Sequence, residues 1–286
     1  MNESKTVLEV LQATTSYFAK HAIESPRLNA EHLVAHMLGK KRIELYMEFD
    51  RPLGERELTP LRDLVKRRAT GEPLQHLLGT VEFCGHTFLC DKRALIPRPE
   101  TEQLVEMVIG ETKSRFQNPN LKILDVGTGS GAIALSLAMA LEQAHVHAVD
   151  FSTDALALAQ ENAHRLGLHE RVRLSQSDLF NDIDERYDVI VANLPYIETE
   201  AIAALQREVQ HDPRLALDGG ADGAAIIRRF AADARQHLLP GGLVAIEVGH
   251  SHAAPLTEFF SALGYTQIRC KPDYAGVNRF LFANHG

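Results

Sequence analysis

Lys122-Ile123-Leu124-Asp125-Val126-Gly127-Thr128-Gly129-Ser130-Gly131-Ala132 is the stretch whose reading decides the fold. A short strand-like run ends at a turn holding three glycines, and residues 132–141 then read as a helix. A strand that feeds a helix through glycines opens a βαβ unit. Downstream, strand patterns recur at 146–150, 172–175, 189–192, 243–248, 266–271 and 279–283, with helical stretches such as 153–166 between most of them. This alternation predicts an α/β domain built on a parallel, Rossmann-like sheet of seven strands with helices on both faces. No clear helix separates the last two strands, so the sheet is expected to end antiparallel.

Upstream the pattern changes. Val7, Leu8, Leu11 and Phe18 recur at helical spacing, Ser25-Pro26 interrupts, residues 28–38 resume, and another helical stretch covers 55–68 before Gly71-Glu72-Pro73. A small N-terminal helical bundle is predicted over residues 1–78. Residues 79–95 alternate around Gly85 and read as a β-hairpin linker. Ile96-Pro97-Arg98-Pro99-Glu100-Thr101-Glu102 opens the third segment, 96–286. Its prolines force an extended backbone, and Thr101 and Glu102 start a helix expected to reach about Ile109.

The chain has 286 residues, 45% hydrophobic and 24% charged, enough for one large or two modest domains. Net charge is −8, and residues 1–72 carry 12 Lys+Arg against 11 Asp+Glu, which leaves the remainder at −9. A half this acidic repels a phosphate backbone, so no direct nucleic-acid partner is expected. Cys84, Cys90 and Cys270 show no metal-ligand spacing and cannot all pair, which suits a reducing cytosol. Met1-Asn2-Glu3-Ser4-Lys5 is polar with no apolar run after it, and the apolar stretch 132–141 is too short to span a bilayer. The expectation is a cytoplasmic monomer without membrane contact.

The glycine turn has a chemical reading. Gly127, Gly129 and Gly131 permit unusual backbone angles and close approach of a ligand, and the helix start behind them offers free N–H groups to a carboxylate. Thr128 and Ser130 complete the turn. Asp150, at the end of the next strand, lies 19 residues beyond Gly131, where a carboxylate can accept from both hydroxyls of a ribose. Gly-x-Gly-x-Gly fits S-adenosylmethionine. A nicotinamide cofactor stays open at this point, because Ala132 occupies the position of the dinucleotide fingerprint's third glycine; so does a purely structural turn. Ser177-Asp178-Leu179 follows the third strand, where Asp178 is placed to bond an adenine amino group or to cap a loop.

A second motif, Asn193-Leu194-Pro195-Tyr196, ends the strand at 189–192. An amide nitrogen is a poor nucleophile because its lone pair is delocalised. Two acceptors that bind both its N–H bonds hold it with the lone pair aimed at a methyl donor. The Asn193 side-chain oxygen and the Leu194 carbonyl are the candidates, with Pro195 keeping residue 194 extended and Tyr196 lying against the planar group. A simple strand-end turn is the alternative, but the glycine motif upstream favours methyl transfer to an amide or an exocyclic base nitrogen.

With these residues in hand, the chain resembles the HemK/PrmC family of protein-(glutamine-N5) methyltransferases. The resemblance also runs through Arg68-Ala69-Thr70-Gly71-Glu72-Pro73-Leu74-Gln75-His76-Leu77-Leu78-Gly79, Val81-Glu82-Phe83, Ile96 to Glu102, Leu217-Asp218-Gly219-Gly220-Ala221-Asp222-Gly223 and Ala275-Gly276-Val277-Asn278-Arg279. It implies a class I S-adenosylmethionine-dependent methyltransferase domain behind a helical domain that recognises a peptide chain release factor. It implies as acceptor the glutamine of the release factor's Gly-Gly-Gln loop. Cofactor residues then fall at 127–131, Asp150, Leu179 and Asn193, and acceptor residues at Asn193 to Tyr196. The family usually has Asn-Pro-Pro-Tyr, and Leu194 replaces the first proline, a loss of rigidity of roughly 0.4–1 kcal/mol. Leu179 stands where the family often has an aromatic, and Val277-Asn278 where it has Arg-Asp.

Other signals carry less. The histidine pairs His32/His36, His145/His147 and His250/His252 lack partners that would complete a zinc site; they read as surface or helix-packing residues, and no metal is expected. Lys66-Arg67-Arg68 reads as a solvated helix face. Arg98 and Glu100 read equally as substrate-binding residues and as staples of the domain junction. The competing functions are a nucleic-acid adenine-N6 methyltransferase, which shares the tetrapeptide, then a non-catalytic binding protein and a nicotinamide oxidoreductase.

Overall fold

The helical spacing near the N-terminus becomes a bundle because each segment has one apolar face and defined ends. The computed structural model describes residues 5–286; Met1 to Ser4, which carry part of the signal-peptide reading, lie outside the described residues. β1 (Lys5–Thr6) leads into α1 (Val7–Lys20), where a capping box forms: the Glu9 N–H donates to Thr6 Oγ1 at 3.3 Å, and the Thr6 N–H donates to the Glu9 carboxylate at 2.8 Å. α2 (Pro26–Met37) begins with proline, whose missing N–H costs nothing there. α3 (Arg42–Leu45), β2 (Pro52–Leu53), paired antiparallel with β1, α4 (Glu55–Ala69) and α5 (Leu74–Leu78) complete the series. Phe18, Leu33, Leu45 and Leu53 are fully buried in its core.

This first unit runs to Thr80 and includes one distant segment, Gln206–His211, which the sequence reading had placed inside the 96–286 domain. Arg68 explains the grouping. Its guanidinium donates to Asn29 Oδ1 at 2.7 Å, to the Glu72 carbonyl at 3.1 Å and to the Glu208 carboxylate. The Arg68 side chain is 3% exposed, which corrects the reading of Lys66-Arg67-Arg68 as one solvated face. Arg67 does lie at the surface, paired with Glu72.

The second unit comprises Val81–Leu205 and Asp212–Gly286. β3 (Thr80–Phe83) and β4 (His86–Leu89) form the expected hairpin, turning through Cys84 and Gly85 with φ of 48° and 75°. It is not a free linker: Phe83 and Phe88 stack edge-on at 5.9 Å inside the core of the second unit. α6 (Pro99–Arg115) continues past Ile109 through Gly110 to Arg115.

Then come β5 (Lys122–Val126), α7 (Ala132–Ala140), β6 (His145–Asp150), α8 (Thr153–Arg165), β7 (Val172–Gln176), β8 (Tyr187–Asn193), α9 (Ala225–Ala234), β9 (Leu238–Glu247), α10 (Ala253–Ala262), β10 (Tyr265–Pro272) and β11 (Asn278–His285). The seven strands from β5 onward form one sheet, ordered β10-β11-β9-β8-β5-β6-β7. β5 to β9 are parallel, and β11 runs antiparallel between β9 and β10, as the missing helix predicted. Period-two alternation sends Ile123, Val189 and Val191 into one core and Leu124, Val126, Ile190 and Ala192 into the other, so both faces are covered by helices.

His147 on β6 corrects the surface reading of its pair. It is buried, with Nδ1 on Tyr187 Oη and Nε2 on Ser175 Oγ, each at 2.7 Å, and burial pushes its pKa down to about 4. The register pairs Val126 with Ala192, so the turns that follow β5 and β8 emerge side by side at the carboxyl edge of the sheet. The strand order reverses at this point, which is where open α/β sheets bind ligands.

Candidate active site

The turn after β5 holds Gly127, Gly129 and Gly131, all in the left-handed region with φ of 75°, 57° and 82°. Their duties differ. A Cβ on Gly127 would lie 3.0 Å from Leu194 Cδ2, so this glycine lets the leucine of the second motif close against the turn. A Cβ on Gly131 would meet Leu135 at 3.0 Å and Ala159 at 3.2 Å, which makes it a packing position between α7 and α8. Gly129 donates its N–H to Asp150 Oδ2 at 2.8 Å. Beneath the turn, Asp125 is fully buried and its Oδ2 accepts from Thr128 Oγ1 at 2.7 Å and the Ala134 N–H at 3.2 Å. Burial pushes the Asp125 carboxyl up to about 7.

Asp150 ends β6. Its Oδ1 accepts from the Ser152 N–H at 2.8 Å, so each carboxylate oxygen holds one backbone donor and keeps a lone pair for a further one. Phe151 beside it is 57% exposed, a large ring left uncovered at the rim. On the far wall, Asp178 accepts from Arg229 at 2.8 Å, so its carboxylate already has a cationic partner. Leu179 is buried with φ of 55°, an uncommon conformation for a non-glycine residue, and its carbonyl accepts from Ser177 Oγ at 3.0 Å.

These elements enclose a cavity of about 320 Å³. Of the residues singled out in the sequence, Gly127, Thr128, Gly129, Ser130, Asp150, Asp178, Leu179, Asn193, Leu194, Pro195 and Arg98 line it; Gly131, Glu100 and Tyr196 do not. Arg98 donates to the buried Asp212 carboxylate at 2.6 Å, and the Ile96 N–H donates to the same group at 3.2 Å, which ties Pro97 and Pro213 into one wall.

Asn193 ends β8 within a chain of polar groups. Its Nδ2 donates to Thr101 Oγ1 at 3.0 Å, Thr101 Oγ1 donates to Glu247 Oε2 at 2.7 Å, and Tyr196 Oη donates to Glu247 Oε1 at 3.2 Å. Glu247 is 2% exposed at the end of β9, and its pKa is raised by burial against the pull of the two hydroxyls. Burial and the neighbouring carboxylate likewise raise Tyr196 well above its ordinary value. Thr101, Glu247 and Phe151 escaped the sequence reading. The legible signal was Glu247, a lone acid closing the apolar run Leu243-Val244-Ala245-Ile246 at the ligand-binding end of a parallel strand.

A seven-stranded sheet with this reversed order, a glycine turn and a strand-end acid defines a class I S-adenosylmethionine-dependent methyltransferase fold. Solved structures share it: the hMettl16 catalytic domain in complex with MAT2A 3′UTR hairpin 1 is 15% identical, with 83% of this chain and 84% of that one covered and a TM-score of 0.55. The 16S rRNA N2 G1207 methyltransferase RsmC of T. thermophilus, in complex with AdoMet and guanosine, is 20% identical over 72% of this chain and 50% of that one, with a TM-score of 0.50. Residues 9–79 match the PrmC N-terminal domain family and residues 117–248 a methyltransferase domain family. The release factor glutamine methyltransferases of Geobacter sulfurreducens and Rhodopirellula baltica are each 42% identical over 96% of this chain and 95% of theirs. The chain belongs to the HemK/PrmC family, the release factor glutamine methyltransferases, and is a methyltransferase.

Proposed function

We propose that this enzyme methylates the side-chain nitrogen (N5) of the glutamine in the Gly-Gly-Gln motif of peptide chain release factors, using S-adenosylmethionine, in the cytoplasm. The carrying observation is Asn193: its Nδ2 is tied to Thr101, which leaves Oδ1, on a residue that lines the cavity, to accept from an incoming amide.

The cavity fits the cofactor. Its size suits a small molecule, the glycine turn lacks the Cβ atoms that would fill it, and Asp150 retains two lone pairs for ribose hydroxyls. Phe151, uncovered beside Asp150, offers the adenine an apolar face in place of the aromatic missing at Leu179. Asp178 is the weaker choice for the adenine amino group, because Arg229 already holds it. When bound, the cofactor's sulfonium supplies an electrophilic methyl and leaves as a neutral thioether.

The chain's own residues do the rest. The Asn193 Oδ1 and the Leu194 carbonyl accept the two amide N–H bonds and orient the nitrogen lone pair, which is catalysis by positioning and local electrostatics. Once it carries the methyl, the nitrogen gives up one of those two protons to water. Tyr196 contributes through its bond to Glu247. Among the described residues no helix is long and apolar enough to cross a membrane.

The test is transfer of labelled methyl from S-adenosylmethionine to a purified release factor and to its Gly-Gly-Gln→Gly-Gly-Ala variant, followed by peptide mass spectrometry. Label on the glutamine of the first and none on the second is expected. Label found only on RNA supplied in parallel would transfer the assignment to adenine N6.

A further inference from the structure

We infer that Glu247, acting through the Thr101 hydroxyl, sets the direction in which the Asn193 amide faces, so that an oxygen and not an NH₂ group is presented to the acceptor. The inference rests on the acceptor role proposed for Asn193.

The argument begins with cost. A carboxylate 2% exposed at the end of an apolar strand is expensive to keep unless it is well hydrogen-bonded. Core packing does not require it, since the strand residues before it, Val244, Ala245 and Ile246, fill the interior with apolar groups. The partners of Glu247 are the hydroxyls of Thr101 and Tyr196, and both lead to the second motif: Tyr196 belongs to it and Thr101 bonds Asn193.

The direction of each bond then follows from inventory. With Glu247 ionised its carboxylate only accepts, and Thr101 then spends its single proton on Oε2. The Thr101 oxygen is thereby left with lone pairs alone. It can only accept from Asn193, and Asn193 must offer Nδ2. An asparagine has two faces, and with Nδ2 engaged the other face is Oδ1. Among the described residues Oδ1 has no hydrogen-bond partner. Burial of Thr101, 4% exposed, removes water as a competing partner that could reverse the chain.

The relay can be inverted without changing its shape. Glu247→Gln places an NH₂ group where Oε2 was, if the amide turns to donate to Thr101. The Thr101 proton then points at Asn193, whose Oδ1 swings to accept it and whose Nδ2 faces the acceptor amide. Donor opposes donor, and the substrate nitrogen loses one of its two anchors. Thr101→Val keeps the volume and removes the relay, whereas Thr101→Ser keeps the hydroxyl. Thr101 and Glu247 are therefore positioning residues, acting on the acceptor through Asn193.

The experiment uses the full-length protein and two readouts. Steady-state methylation of the release factor gives kcat and KM. Nitrogen-15 spectra of the Asn193 side-chain NH₂, assigned by its loss in Asn193→Ala, report the bond to Thr101 with no substrate present. Thr101→Val and Glu247→Gln are expected to lose about 10–100-fold in kcat, with cofactor affinity changed less than about twofold. The same two variants move the Asn193 NH₂ signals, while Thr101→Ser recovers both kcat and the spectrum. Wild-type kcat in Thr101→Val would overturn the relay, as would NH₂ signals unmoved in Thr101→Val, or a Thr101→Ser variant as impaired as Thr101→Val; Glu247→Gln is read by its spectrum, which shows which face of the amide Thr101 meets. If the wild type methylates no glutamine, the proposed acceptor fails while the spectra still decide whether Glu247 directs the amide.

Discussion

Leu194 shows how one residue changes meaning between sequence and fold. As a replacement for proline it loses roughly 0.4–1 kcal/mol of rigidity. Its side chain, however, is 5% exposed and packs against the turn at Gly127, and burying a leucine contributes about 1.5–3 kcal/mol. The packing outweighs the lost rigidity, so the Leu194 carbonyl is held by its own side chain. Asn193→Ala removes the acceptor oxygen and leaves the glycine turn alone; transfer should fall to background with cofactor affinity nearly unchanged, and near-normal turnover in that variant would refute the role. Asp125 supplies a pH test. Its carboxyl titrates at about 7 in the fold against an ordinary 3.8, so between those values the folded protein holds a proton that the unfolded chain releases. Stability from this group is full below pH 4 and declines by about 1.4 kcal/mol per unit up to pH 7, then levels off. Asp125→Asn should abolish that slope in urea melts between pH 4.5 and 8, and a gap between the two proteins that stays constant with pH would show that Asp125 is charged in the fold.

At the scale of elements, the strand–turn–helix at 122–140 was legible because glycine spacing, strand pattern and helix start all agree. The strand order was legible only in part: alternation predicts a parallel sheet, but nothing in residues 278–285 alone says that β11 inserts between β9 and β10. The glycines read alike in sequence yet differ in structure, because what a Cβ would meet depends on elements far along the chain. Gly131 faces α8 and Gly129 faces only Ala94, at 3.8 Å. Gly131→Ala should therefore cost stability, about 1–3 kcal/mol from backbone strain and overpacking together. Gly129→Ala, with no overpacking, should cost only the left-handed backbone strain, about 1 kcal/mol, and lose cofactor affinity as well. Thermal melts and cofactor titrations on both variants check this, and the reverse ranking would mean that the turn has a different architecture. Thr101 and Glu247 lie 146 positions apart and meet only because β9 ends beside β8 and the start of α6, a proximity no local pattern encodes.

For the molecule as a whole, motif order carried the reading to a methyltransferase, while nothing in the sequence marked the segment Gln206–His211 as distinct from its neighbours. That segment belongs to the first unit although the chain on both sides of it belongs to the second. Its sequence, Gln206-Arg207-Glu208-Val209-Gln210-His211, is polar and short, so hydrophobic pattern could not reveal it. The clue lay in Arg68, whose place at the end of a basic run hid that it is buried. A buried guanidinium needs its partners: replacing it strands Asn29 Oδ1, while neutralising Glu208, 40% exposed, leaves Arg68 its bonds to Asn29 and the Glu72 carbonyl. Arg68→Met should lower the stability of the first unit by about 2–4 kcal/mol, and Glu208→Gln by about 1 kcal/mol or less, since a half-exposed charge is screened by water. Urea denaturation of the full-length variants distinguishes the two. Equal losses would mean that the ion pair alone carries the site, and a neutral Arg68→Met would mean that the segment 206–211 is held by its backbone and not by this side chain.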